Sequence, residues 1–108
     1  MNDRDYIIVL YDYYGELLSD KQRLYFEEYY FNNLSLAEIS ENYGISRNAI
    51  HKGIQGVVSK LLEYEDKLHL YDKSIKIEGI IDNIDDKLRD KIKDILRSWW
   101  SYLMIKPS

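Results

Sequence analysis

Apolar residues recur every three or four positions along most of this chain, the spacing of helices that bury one face. Ile7, Leu10, Tyr11, Tyr14 and Leu18 make one face of a first helix. Ser19-Asp20-Lys21-Gln22 then has the S-x-x-Q form of a capping box, in which the serine hydroxyl and the glutamine side chain each satisfy a free backbone amide. A second helix is predicted from about Asp20 through Tyr25, Phe26, Tyr29 and Tyr30. Asn32-Asn33 is its stop, because asparagine tolerates the left-handed conformation that ends helices. The box repeats as Ser35-Leu36-Ala37-Glu38 and opens a short third helix through Ile39 and Tyr43. Gly44 follows, and Ser46 caps a fourth.

In the fourth helix Ile50, Ile54, Val57, Leu61, Tyr64, Leu68 and Tyr71 alternate four and three apart, a heptad-like seam. A helix from about Arg47 to Tyr71 would be roughly 37 Å long, more than a domain this small needs. Gly53 and Gly56 each cost about 1 kcal/mol relative to Ala inside a helix. They are either tolerated or present to admit a close neighbour. Beyond Ser74, the run Ile75, Ile77, Ile80, Ile81 and Ile84 is rich in β-branched residues, yet no second strand is available to pair with it, so a helix is preferred. Asp82 or Asp85 is placed to cap a final helix. Its apolar face is Leu88, Ile92, Ile95, Trp99 and Tyr102, with Leu96 and Leu103 beside it, and Lys87, Arg89, Lys91 and Lys93 alternate with aspartates on a solvated face.

The predicted architecture is therefore all-α: one domain over residues 1–108, a helix-turn-helix unit at about 35–62 with a long second helix, and a C-terminal helical extension at about 74–104. Composition agrees, since a single Pro and five Gly are too few for a fold built of tight turns. With no Cys there is no disulfide framework, thiolate metal site or Cys nucleophile, as suits a reducing cytosol. Charged residues precede the first apolar run, which is unlike a signal peptide, and no run reaches the ~18 apolar residues of a membrane span, so no membrane insertion is expected.

The net charge of −4 argues against indiscriminate polyanion binding, but the charge is uneven. Residues 44–62 hold Arg47, Lys52 and Lys60 and no Asp or Glu, whereas residues 1–31 alone carry −4. The acid-free stretch coincides with the motif. In SLAEISENYGISRNAIHKGIQGVVSKLL a capped short helix, a Gly turn and a second capped helix follow one another, as a helix-turn-helix requires. Ile39 and Ile50 face inward and Ile45 fills the corner. Arg47, Asn48, His51, Lys52 and Gln55 are then left on the outward and flanking faces as candidate nucleic-acid contacts. Arg and Lys suit phosphates or guanine edges, and Asn and Gln suit adenine edges. Tyr25, Tyr29 and Tyr30 could stack on unpaired bases, but their spacing on one helix face favours core packing instead.

Catalysis has no candidate residues. Only His51 and His69 are present, too far apart on one predicted helix to share a metal, and no phosphate-binding Gly loop or nucleophile elbow occurs. Carboxylate pairs such as Glu27-Glu28 are adjacent and solvated rather than set as acid and base. No cofactor is expected.

The strings LLSDKQRLYFEEYYFNNLSLAEISENYGISRNAIHKGI and LLEYEDKLHLY, covering roughly Tyr11 to Tyr71, resemble the YlxM family of small bacterial proteins. The resemblance implies a helix-turn-helix protein similar to region 4 of sigma factors, a three-helical core of winged-helix kind without a wing. It also implies a regulatory role in the signal recognition particle pathway of protein targeting. Arg47, Asn48, His51 and Lys52 match the recognition helix. Gly53 and Gly56 depart from a stretch that is usually more polar, and Trp99 and Trp100 lie beyond the match. The expected partner is DNA or RNA, including the particle's own RNA. A module contacting proteins of the particle without touching nucleic acid is the alternative. The long seam and the apolar face of the last helix point to a cytoplasmic homodimer.

Overall fold

The computed structural model describes the backbone of residues 2–104 and the side chains of residues 2–98. The chain forms α1 (Asp3–Tyr14), a 3-10 turn (Gly15–Leu17), α2 (Asp20–Tyr30), α3 (Leu36–Tyr43), α4 (Arg47–Leu68), α5 (Leu70–Ile81) and α6 (Asp86–Met104). No strand occurs among the described residues. The expected all-α fold is the one found. The side chains of Trp99, Trp100, Tyr102 and Leu103 lie outside the described residues.

Both capping boxes form. Ser19 Oγ accepts from the Gln22 amide and Gln22 Oε1 from the Ser19 amide, at 3.2 and 2.9 Å. Ser35 and Glu38 repeat the arrangement at 3.1 and 3.0 Å, and these bonds hold the Glu38 carboxyl below its usual range. Asn33, just past α2, is left-handed with φ 55°. At the other junction Asp85 caps α6, its Oδ1 accepting from the amides of Lys87 and Leu88.

α4 is the axis of the fold, and α1, α2, α3 and α5 all pack on it. Its first half presents Ile50 and Ile54 to Tyr25 and Ile39. Its second half presents Val57 and Leu61 to Ile7, Leu10, Tyr14 and Phe26. Leu10, Phe26, Ile39, Ile50, Val57 and Leu61 are wholly inaccessible, and each such side chain contributes about 1.5–3 kcal/mol by leaving water. Tyr11 stacks on Phe26 with ring centroids 4.3 Å apart. Arg4 fastens the start of α1 to the end of α2. Its guanidinium lies 4.9 Å from the Tyr30 ring centroid and donates to the Tyr30 carbonyl at 2.8 Å.

The seam is shorter than its spacing suggests. α4 ends at Leu68 instead of reaching Tyr71, because His69 turns left-handed with φ 57° and α5 sets off in a new direction. The cause is Glu65, a buried carboxylate one turn before the break. It accepts from the Tyr14 hydroxyl and from the amides of Tyr71 and Asp72, the latter two at 3.1 Å. A straight helix would use those amides within its own ladder. The seam from Ile50 to Leu61 is consumed inside the chain, while Leu68 at its end is 44% exposed.

Candidate nucleic-acid interface

Ser40, Gly44, Ile45 and Ser46 build the corner between α3 and α4. Gly44 is left-handed with φ 65°, and its amide and that of Ile45 both donate to the Ser40 carbonyl. The Ser40 hydroxyl closes the turn by donating to the Ile45 carbonyl. Ile45 is half-buried against the Ile39–Ile50 cluster, and Ser46 Oγ accepts from the Ala49 amide at 3.1 Å to start α4. Short helix, left-handed turn and capped second helix thus form a helix-turn-helix.

Arg47, Asn48, His51, Lys52 and Gln55 are all exposed. Asn48, Lys52 and Gln55, spaced four and three, lie on the ridge opposite the buried Ile50 and Ile54. Arg47 and His51, one turn apart, lie on the flank of that ridge. None of the five side chains makes a hydrogen bond or ion pair among the described residues. Every other α-helix carries an acidic residue in its first turn, whereas the first turn of α4 has none. The positive end of its dipole therefore adds to Arg47 instead of being cancelled. Neither glycine of α4 is forced by a neighbour. A Cβ on Gly53 would meet only the Tyr25 ring at 3.8 Å, and one on Gly56 would meet nothing within 4 Å.

The core packing favoured for the α2 tyrosines is largely found, while other features take positions the sequence did not indicate. Tyr25 is a core residue, and Tyr30 stacks on Phe26, leaving Tyr29 half-buried at the edge of α2. Glu27 and Glu28 are not simply solvated, since Glu27 accepts from the Tyr11 hydroxyl and Glu28 from Asn32 and the Tyr43 hydroxyl. His69 leaves the helix of His51 and becomes its cap. Among the described residues no three His, Asp or Glu side chains are placed to hold a metal ion, and no helix is long and apolar enough to cross a membrane. The Tyr14–Glu65 pair escaped the sequence reading, because a lone Glu in a Y-E-D-K-L-H-L-Y string gives no sign of burial.

Fold and corner together define a helix-turn-helix protein. Comparison with known proteins makes this more specific. The family model described as "Putative helix-turn-helix protein, YlxM / p13 like" (UPF0122) matches residues 1–98, and the chain belongs to that family. A UPF0122 protein of Clostridium kluyveri is 42% identical over 108 residues, covering 96% of this chain and 97% of its own. Another from Clostridium botulinum is 45% identical over 91 residues, covering 84% of each chain. One from Streptococcus thermophilus is 43% identical over 81 residues, covering 75% of this chain and 74% of its own.

Proposed function

We propose that this chain is a cytoplasmic regulatory protein that binds DNA or RNA through α4, in a binding rather than a catalytic role. The observation that carries this reading is the set Arg47, Asn48, His51, Lys52 and Gln55. They are exposed, without a partner among the described residues and adjacent to an acid-free helix start, in a molecule otherwise net acidic. Phosphate contacts would come from Arg47 and Lys52, and base-edge contacts from Asn48 and Gln55. A place in the signal recognition particle pathway, with the particle's RNA as one partner, rests on the family resemblance alone. The net charge of −4 favours a second reading, a module that contacts proteins of that pathway without touching nucleic acid. A homodimer is part of the proposal, supported by the apolar side chains that α5 and α6 leave in solvent.

Arg47→Ala and Lys52→Ala distinguish the two readings. Both positions are exposed, so both variants should fold. Each lost phosphate contact should weaken binding and flatten the dependence of log K on log salt by roughly 0.9. Unchanged affinity and slope in both variants would exclude α4 as the contact surface, and no binding by the wild-type chain would leave only the protein-contact reading.

A further inference from the structure

A groove runs beside the candidate interface, between α4 and the end of α2. Its walls include Tyr29 of α2, Leu36 of α3, and His51, Gln55 and Ser59 of α4. These residue types combine a flat aromatic ring with hydrogen-bonding groups. Tyr29 touches Tyr30 edge-on at 5.2 Å, an arrangement that does not stack its ring on a neighbour. The polar atoms of the Tyr29, His51, Gln55 and Ser59 side chains have no hydrogen-bond partner among the described residues. Tyr30, which also lines the groove, carries the Arg4 guanidinium over its ring, and Arg47 lies one helical turn before the lining residue His51.

Charge decides what kind of nucleic acid fits. The acid-free stretch offers only Arg47, Lys52 and Lys60, so few phosphates of a duplex can be neutralised and the electrostatic gain is small. Useful affinity then has to come from another source. Stacking and edge recognition of an unpaired base supply it, and such bases are displayed mainly by the bulges and loops of RNA. Building on the nucleic-acid reading above, we propose that this groove receives a single unpaired base of a structured RNA. The base stacks on Tyr29, and Gln55, His51 and Ser59 read its edge.

The test is fluorescence anisotropy with two labelled RNA hairpins of identical stem, one carrying a single bulged purine, and with a DNA duplex of the stem sequence. The bulged hairpin should bind about tenfold more tightly than the perfect one, as one stacked base provides. Tyr29→Ala should abolish that preference while leaving perfect-stem affinity unchanged. Ser59→Leu, at an exposed helix position, should do the same by filling the groove and guards against a Tyr29 variant that fails to fold. Equal affinity for both hairpins, with Arg47→Ala still weakening both, would overturn the groove proposal and leave the nucleic-acid reading intact. Binding to none of the three probes would overturn both.

Discussion

The Tyr14 hydroxyl donates to the Glu65 carboxylate across 51 residues of sequence and accepts from the Leu70 amide at 3.1 Å, joining α1, α4 and α5 at one point. Glu65 is buried and makes no ion pair within the described residues; three donors stabilise it instead. A carboxylate can accept from all three, and an amide cannot. Glu65→Gln would turn an NH2 group toward one of these donors. It should lower unfolding free energy in urea by about 1–3 kcal/mol, the cost of buried polar groups left unmatched. Tyr14→Phe should cost a similar amount, and the double variant less than the sum, because one network is lost in both.

Alkali should unfold the protein through its tyrosines. Tyr6, Tyr11, Tyr13, Tyr14 and Tyr30 are all raised above the ordinary value of 10.0, in each case first by burial, and Tyr14 further by its bond to Glu65. The folded state thus holds these protons more tightly than the unfolded state. The resulting stability is complete below pH 10 and is lost as the pH rises above it. Helical circular dichroism should therefore be lost above pH 10, with the tyrosinate absorbance of these side chains rising as it goes. A Tyr14→Phe variant that loses its helical circular dichroism at the same pH as the wild type would contradict this cause.

Gly44 sets the angle between α3 and α4. At φ 65° a β-branched side chain is strained even though a Cβ would meet no atom within 4 Å. Gly44→Val should cost more than about 1 kcal/mol, whereas Gly44→Asn should cost less, since asparagine tolerates this region. Equal melting temperatures for the two variants would show that the cost is not conformational.

Gly56 offers the opposite case. It lies inside α4 with a helical backbone and open space where a Cβ would go. Gly56→Ala should stabilise the protein by up to about 1 kcal/mol in thermal or urea melts. A destabilised variant would mean that some neighbour does require the missing side chain.

Features fixed by neighbouring residues were legible in the sequence. Both capping boxes, the Gly44 turn and the inward set Ile39, Ile50, Ile54, Val57 and Leu61 all follow from spacing and local hydrogen bonding. The exposure of Arg47, Asn48, His51, Lys52 and Gln55 follows from the same helical arithmetic. What stayed hidden depends on residues far apart in the chain. The break at His69 comes from Glu65 and Tyr14, and a heptad pattern runs through such a break without interruption. The groove at Tyr29 and Ser59 is equally long-range, because it exists only once α2 and α4 pack.

The dimer is expected to form through α5 and α6 and not through the α4 seam. Leu61 is fully buried within its own chain, so Leu61→Asp should unfold the protein whatever its oligomeric state. The side chains left for a partner lie elsewhere: Ile80 and Ile95 are 67% and 69% exposed, and Ile75 and Leu88 nearly half. Removing these from water is the driving force available to a second copy, and two-fold assemblies are the commonest way to use it. Light scattering at micromolar concentrations should therefore give twice the 13.0 kDa chain mass. Ile80→Asp combined with Ile95→Asp should give the single-chain mass with little loss of helicity, since neither residue belongs to the buried core. A wild-type chain that stays monomeric throughout that range would refute the dimer and leave these side chains to another partner.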